Sequence, residues 1–213
     1  MATLALAAAA AVGGIAWMSS HGSAHPTRYV TSTINKKSYR VLDRPDCTEA
    51  ADALATLEAK IGDLLDAADD IVPGDHRFAN IRDRWSGTLH EIDGSDNIAY
   101  SVDKSDVYIC VRAKDGSVDT ELNDSMFVLL HELSHVANQT YGHGTDFWKT
   151  FKFVLEVSEK SGVYTFQDYD RSSVEVCGRV INTTPLSCVK NGECFSELSG
   201  ERVGSGIGAL RPS

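Results

Sequence analysis

The residues with the clearest chemical potential lie close together in the middle of the chain. His131, Glu132 and His135 form the pattern H-E-x-x-H, in which the two histidines are four residues apart. On an α-helix, side chains with this spacing project from one face a turn apart, so both imidazoles can bind one metal ion. Glu132 follows the first histidine directly and can reach a water molecule at that ion. The pattern therefore predicts a catalytic metal site on a helix.

A third ligand is expected from the segment that follows. His143 lies too far beyond His135 to share its helix face, but it is flanked by Gly142 and Gly144. Glycine permits a sharp turn, which can bring the chain back beneath the ion. Zinc favours neutral imidazole ligands, and a catalytic zinc site keeps one position for water. We therefore expect the three histidines to bind zinc, with Glu132 as the general base of peptide hydrolysis.

The sequence around the histidines predicts two helices. The polar residues 123–125 are good N-cap candidates, and the apolar run after them indicates a buried helix that carries H-E-x-x-H. Thr145 and Asp146 can cap a second helix, and Gly162 is expected to end it. The side chains expected to face the core from this second helix are Phe147, Trp148, Phe151, Val154 and Leu155.

The preceding half of the chain predicts further helices and a small sheet. Apolar residues recur at helical spacing from Cys47 to Val72, before Pro73-Gly74, and a shorter helix is expected from Arg77 to Trp85. Three segments then show strand patterns, GTLHEID, IAYSV and VYICVRA. They predict a small antiparallel or mixed sheet packed on the active-site helix. The fold class is therefore α+β.

Several other residues are candidates for parts of the site. His76 and His90 lack metal-like spacing and are expected to be surface or loop residues, and Glu91 is a weaker candidate for a ligand. Stabilising the oxyanion of the reaction requires a further donor. The candidates for that donor are Tyr141, Tyr164 and Arg112.

Length and charge limit the organisation of the chain. With 213 residues, of which 42% are hydrophobic and 23% charged, it is expected to form one globular domain with appendages. The net charge is −10, which argues against nucleic acid as a partner because binding to phosphates depends on Lys and Arg. A basic linker is expected at 21–45, the catalytic domain at 46–178 and a flexible tail at 179–213.

The first residues predict a membrane anchor. Residues 2–18 carry no charge and would span about 25 Å as a helix, near the lower limit for a hydrocarbon core of about 30 Å. With residues 1–20 as a single-pass anchor, the basic stretch beyond them places the domain on the cytosolic side. A cleaved signal peptide is the main alternative, although a basic start is absent. An alanine-rich helix packed within the fold is the third interpretation.

The five cysteines form no zinc-binding pattern. Cys110 lies in VYICV and is expected to be a small buried apolar residue in a strand. A single bridge among Cys177, Cys188 and Cys194 is conceivable in an oxidising compartment or a virus particle. Cys47 completes the set, and the odd number argues against a complete disulfide framework.

The motifs together resemble a known family. The segment HELSHVANQTYGHGTDFW, the preceding strand VYICVRAKDG and the helix start LNDSMFVLL resemble the WLM-type and SprT-like zinc metallopeptidases. The similarity is greatest to membrane-anchored WLM-like proteins of large DNA viruses, and it covers about Thr48 to Gly178. The resemblance implies a zincin-like fold. It also implies zinc ligation by the three histidines and catalysis by Glu132.

The resemblance also suggests how a substrate is held. In zincins a sheet edge beside the active-site helix pairs with an extended substrate, and VYICV either forms such an edge here or only builds the core. The leading hypothesis is a membrane-tethered zinc endopeptidase acting on protein or peptide. A structural or virion membrane protein that keeps the fold without turnover is the alternative. A secreted protease with a cleaved signal and one disulfide is a third hypothesis.

Overall fold

The computed structural model describes residues 25–92, 99–102, 106–138 and 142–187. The helices in these ranges are α1 (Cys47–Ile71), α2 (His76–Arg84), α3 (Asn123–Ala137) and α4 (Thr145–Lys160). The strands are β1 (Thr27–Thr31), β2 (Ser38–Leu42), β3 (Thr88–Glu91), β4 (Ala99–Val102), β5 (Asp106–Ile109), β6 (Val174–Val176) and β7 (Arg179–Ile181). The α+β class predicted from the sequence is confirmed.

Five strands form a mixed sheet in the order β1-β2-β3-β5-β4. The two outer pairs, β1 with β2 and β4 with β5, are antiparallel, whereas β3 runs parallel to both β2 and β5. Parallel neighbours require a crossover, and α1 with α2 supplies it between β2 and β3. Strands β6 and β7 form a separate antiparallel hairpin.

One face of the sheet is covered by helices. Helix α1 packs on β1, β2 and β3, while α3 packs on β4 and β5 and also contacts α2 and α4. The strand side chains on the covered face include Val41, Leu89, Val107 and Ile109, each fully buried. Alternation along each strand turns their neighbours to the opposite face. The sheet therefore supports α3 from behind, and α3 carries the H-E-x-x-H residues.

The expected basic linker at 21–45 is wrong for the part that the structure describes. Residues 27–42 form β1 and β2, which extend the central sheet. Tyr39 and Val41 are buried under α1, whereas Lys36 and Lys37 lie in the exposed turn between the two strands. The cationic side chains suggested a solvated segment. The alternation of buried and exposed residues in β2 is too short to predict a strand by itself, and the segment becomes a strand because it pairs with β3.

A carboxylate on α1 fixes the β1–β2 turn. Asp52 accepts hydrogen bonds from the Ser32 hydroxyl at 2.6 Å, the Thr33 amide at 2.7 Å and the Thr33 hydroxyl at 2.6 Å. Burial alone would raise the pKa of Asp52. The hydrogen bonds from Ser32 and Thr33 outweigh that effect, and the pKa lies below its ordinary value of 3.8. The ionised carboxylate is therefore the form that stabilises the fold.

Acid is expected to remove this contribution. Because the folded pKa of Asp52 is below the unfolded one, its stabilisation is present above about pH 4 and is lost as pH falls through the folded pKa. The free energy of unfolding, measured by urea titration across this range, should decline more steeply in wild type than in Asp52→Asn. Glu49→Gln, in the first turn of the same helix, is the control. Equal slopes for Asp52→Asn and wild type would contradict this role for Asp52.

The predicted helices agree with the structure, but the residues predicted to cap α3 and α4 do not cap them. Helices α1 and α2 match the expected positions closely. Helix α3 begins after Leu122, which has a left-handed backbone with φ of 54° and makes no side-chain cap. Helix α4 begins after Gly144, so Thr145 and Asp146 are its first residues and not its cap. The polar residues expected to cap these two helices therefore lie within the first turn of each helix.

The domain extends beyond the expected boundary at residue 178. Strand β7 pairs with β6, and Ile181, Thr184 and Leu186 are buried after it. The first part of the expected flexible tail is therefore ordered within the domain. The rest of that tail, residues 188–213, lies outside the described residues, as do the predicted anchor at 2–18 and its alternatives. Within the described ranges, every helix is too short or too polar to cross a membrane.

A disulfide joins the central sheet to the hairpin. Cys110, immediately after β5, is bonded to Cys177 in the β6–β7 turn, 67 residues later. The prediction that Cys110 is only a small apolar core residue is therefore wrong. The prediction that Cys177 would bond to Cys188 or Cys194 is also wrong, because Cys177 is bonded to Cys110. Cys188 and Cys194 lie outside the described residues. Cys47, at the start of α1, is a free thiol.

Candidate metal centre

Helix α3 presents two of the three histidines. His131 and His135 are partly buried on the same face, and their ring centroids are 5.0 Å apart. The rest of the helix is almost entirely buried, which fixes its rotation about its own axis. Asn123 in the first turn adds a second constraint, because its side-chain amide exchanges two 2.9 Å hydrogen bonds with the backbone of Thr165. Side-chain packing therefore holds the two imidazoles towards one point.

The turn between α3 and α4 brings the third histidine to the same point. Gly142 has φ of 82°, in the left-handed region that L-residues rarely adopt. Gly144 has φ of −70°, so only the first of the two glycines is required by the backbone. His143 between them is exposed on its outer side. The expectation that a glycine-dependent turn returns the chain to the helix face is confirmed.

The three imidazoles meet with the spacing of metal ligands. Nε2 of His143 lies 3.0 Å from Nε2 of His131 and 3.2 Å from Nε2 of His135. Two nitrogens bound to a tetrahedral zinc at about 2.05 Å are separated by about 3.3 Å. A neutral imidazole Nε2 carries either one hydrogen or one lone pair and cannot satisfy two other ring nitrogens well. The group could hold a metal ion, and three imidazoles are a donor set that fits zinc.

Aromatic side chains of α4 form the floor beneath the histidines. The Phe147 ring stacks on His135 with centroids 4.2 Å apart and meets His131 and His143 edge-on at 4.8 Å. Phe147 is completely buried, as expected from the sequence. Phe151 contacts the far side of His131 at 5.1 Å. This apolar floor restricts rotation of the imidazoles and keeps water away from one side of the site.

Trp148 differs from its expected place in the core. It is 39% exposed and lies beside the site, with its ring 6.1 Å from His143 and 6.5 Å from His131. Its position on α4 next to the buried Phe147 turns it away from the core, since adjacent residues on a helix point about 100° apart. An exposed tryptophan at this position offers an apolar surface for contact with another molecule.

The environment of His131 keeps its imidazole neutral. Burial, followed by the proximity of His135 and His143, lowers the pKa of His131 to about 3. Neutral imidazole is the form that binds a metal ion. Glu132 is also buried, with 9% of its surface exposed, and it follows His131 directly on α3. The site therefore combines three convergent imidazoles with an adjacent carboxylate of low solvent exposure.

Two of the candidate site residues lie away from the three histidines, in a buried ion pair of the core. Arg112 is 6% exposed and donates through Nε to Glu91 and through Nη1 to Asp46 at 2.6 Å. Glu91 also accepts a 2.7 Å hydrogen bond from the Leu42 amide. Arg112 as an oxyanion donor and Glu91 as a metal ligand are therefore both wrong, because each is the other's ion-pair partner within the core.

The structure places three of the four remaining candidates. Tyr164 is buried against Phe127, and burial raises its pKa to about 12. His90 lies in β3, is 8% exposed and contacts Tyr108 with the two ring centroids 4.7 Å apart, so its assignment as a surface or loop residue is wrong. His76 is exposed at the start of α2, in agreement with the sequence prediction. Tyr141 lies outside the described residues.

The sheet edge beside α3 is a different strand from the one expected. Strand β5, which contains VYI, is paired on both sides and cannot accept another chain. Strand β4 is the terminal strand of the described sheet, and it packs on α3. The sequence could not distinguish them because both show short strand patterns. Only the order of strands in the sheet identifies the edge.

Comparison with known proteins gives two viral relatives. The chain is 29% identical over 161 residues to the uncharacterized protein R325 of Acanthamoeba polyphaga mimivirus, which covers 72% of this chain and 82% of that protein. It is 29% identical over 68 residues to the uncharacterized protein 136R of Invertebrate iridescent virus 6, covering 31% of this chain and 38% of that protein. No family model and no solved structure matches the chain. Both of these relatives are viral proteins.

Proposed function

We propose that this protein is a zinc-dependent endopeptidase that hydrolyses peptide bonds of protein substrates with a zincin-like domain. The observation that carries the proposal is the convergence of three imidazole nitrogens, 3.0 and 3.2 Å apart, next to a buried glutamate on the same helix. His131, His135 and His143 would hold the metal. This arrangement leaves one side of the site for water and substrate, which is how catalytic zinc sites differ from structural ones.

The residues of the site have separate tasks in the proposed reaction. Zinc, when bound, supplies Lewis acidity that makes water acidic near neutral pH and polarises the scissile carbonyl. Glu132 accepts the proton of the attacking water and passes it to the leaving amine. Phe147 holds the imidazoles in place from below. Trp148 offers an exposed apolar surface to a substrate side chain.

The edge of the sheet supports an extended polypeptide as substrate. Strand β4 is terminal in the described sheet and packs on the helix that carries His131 and His135. A terminal strand has unpaired backbone donors and acceptors along its outer side. A substrate segment that pairs with β4 would run past the zinc ligands in extended form, which exposes its peptide bonds to attack.

The proposed location is a membrane or virus particle. Residues 2–18 supply the proposed anchor, with the domain on the cytosolic side. The Cys110–Cys177 disulfide argues against the cytosolic side, where disulfides are rare, and favours the virus particle, because virion surfaces are among the places where disulfides persist. Both relatives are viral proteins. A tether would confine the peptidase to proteins near that membrane.

Metal analysis together with a cleavage assay tests the proposal. The purified full chain is expected to hold about one zinc per molecule and to cleave a denatured protein. Removing zinc with a chelator should abolish cleavage, and adding zinc should restore it. His143→Ala should lose both zinc and cleavage because only two ligands remain. Element-specific mass spectrometry gives the zinc content of each sample.

The matched control is His76→Ala, another exposed histidine that lies on α2 outside the site. This variant should keep zinc and cleavage at the level of wild type. Zinc retained by His143→Ala at full stoichiometry would refute the ligand assignment. Zinc bound without any cleavage of denatured protein would favour the alternative, a structural or virion membrane protein with the same fold.

A further inference from the structure

A cavity separate from the metal centre lies where the parallel strands end. The cavity has a volume of about 580 Å³ and is lined by Leu42 and Arg44 after β2, Glu91 at the end of β3, and Cys110 and Arg112 after β5. Strands β2, β3 and β5 are parallel, so their carboxyl ends meet at one edge of the sheet. Ligands of open sheets with parallel strands commonly bind outside these ends. None of the three histidines lines this cavity.

The charge of the lining is opposite to that of the chain. Four cationic side chains line the cavity, and Glu91 is the only carboxylate among the lining residues. The four cations are Arg44, Arg112, Lys114 and Arg179. Ion pairs with Glu91, Asp46 and Glu175 offset part of this charge. Among the residues that line the cavity, cationic side chains therefore outnumber carboxylates, in a chain whose net charge is −10.

A buried guanidinium is a second observation, independent of the charge of the lining, that indicates a ligand. The Arg112 side chain is 5% exposed, with Nε donating to Glu91 and Nη1 to Asp46 and the Gly116 carbonyl. Its Nη2 is buried and has no hydrogen-bond partner within the residues that the structure describes. A buried donor without an acceptor is costly, and guanidinium is suited to bind two oxygens of a carboxylate or phosphate.

The hairpin completes the cavity and fixes its size. Cys177 and Gly178 of the β6–β7 turn and Arg179 at the start of β7 form one wall, and the Cys110–Cys177 disulfide ties this wall to the end of β5. The disulfide thereby holds Arg179 close to the strand ends. A cavity of this size admits a small organic anion but not a folded partner.

From these observations we infer that the cavity is a binding site for a small oxyanion, a phosphate- or carboxylate-bearing molecule held by Arg112 Nη2, Arg44 and Arg179. This inference is independent of the proposed peptidase activity, because the two sites share no residue. Bound anion would stabilise the Arg112 ion pairs and the hairpin. It would therefore link the stability of the domain to the concentration of that anion.

Calorimetric titration of the full chain with inorganic phosphate and, separately, with succinate tests the inference. At least one of the two is expected to bind, and binding should weaken about tenfold for each guanidinium lost in Arg44→Gln and Arg179→Gln. Tighter binding of phosphate assigns a phosphate-bearing ligand, and tighter binding of succinate assigns a carboxylate. Thermal unfolding should shift upward with the same probe.

Two control variants show whether the anion binds in this cavity. Arg171→Gln removes an exposed arginine outside the cavity and should leave affinity unchanged. His143→Ala should also leave it unchanged, because the anion does not use the histidines. The inference is overturned if neither probe binds, if Arg171→Gln weakens binding as much as Arg44→Gln, or if His143→Ala abolishes it. The last outcome would place the anion at the metal centre instead.

Discussion

Replacing Glu132 with glutamine is expected to lower kcat/KM for a denatured protein substrate by about 10²–10⁴-fold, the usual contribution of a general base. Glutamine keeps the size of the side chain and its hydrogen-bonding atoms, but it cannot accept a proton at neutral pH. Zinc content should stay at the wild-type level because Glu132 is not one of the three convergent ligands. The expected result is therefore a metal-loaded protein that no longer turns over substrate.

The matched control for this variant is Glu156→Gln. Glu156 lies on α4 and, like Glu132, is 9% exposed, so the two substitutions place an amide in comparably buried positions. Cleavage by Glu156→Gln should remain close to wild type. Comparable losses in both variants would show that burial of an amide disturbs the fold. Full activity in Glu132→Gln would remove Glu132 from the mechanism while leaving the zinc assignment intact.

Replacing Arg112 with methionine is expected to cost about 3–5 kcal/mol of unfolding free energy, the usual loss when one partner of a buried ion pair is removed. The Glu91 side chain is only 1% exposed and would be left without its cationic partner. Asp46, before α1, and the Gly116 carbonyl would lose the same donor. Urea denaturation of the zinc-loaded, oxidised protein gives the free energies to compare.

A double variant shows whether the uncompensated charge is the cause. In Arg112→Met with Glu91→Gln the buried charge is gone, and the glutamine oxygen can still accept the Leu42 amide hydrogen bond. Double replacement of a buried pair is much less costly than single removal. The double variant should therefore be more stable than Arg112→Met alone. If it is less stable, packing of the arginine side chain, and not its charge, holds this part of the core.

The strands show what a local sequence pattern can predict and what it cannot. The alternation in VYICV correctly predicted a strand, but its place inside the sheet depends on β4 pairing along its other side. Residues 27–42 carry a shorter pattern among several cations, and they become strands by pairing with β3 and packing against α1. Strand formation depends on neighbours that are distant in sequence, so local patterns identify such segments poorly.

The disulfide and the Arg112 ion pairs show the same limit for single residues. Cys110 has the apolar neighbours of a core residue, yet its bond to Cys177 spans 67 residues. Arg112 and Glu91 have the chemistry of site residues. Their burial at the ends of two adjacent parallel strands makes them partners of each other. Residue type indicated which chemistry these side chains could perform, and their neighbours in the folded structure determine which contacts they make.

The sequence by itself determined the local chemistry: the H-E-x-x-H spacing, the helix that carries it and the glycine that lets the following turn reverse. These features depend on residues within a few positions of each other, so helical periodicity and backbone preference are enough to predict them. Only the tertiary structure decided that His143 reaches the other two imidazoles, that Phe147 lies beneath them and that Trp148 is exposed beside them. Those relations depend on how α3, α4 and the sheet pack, and packing joins residues that no local pattern relates.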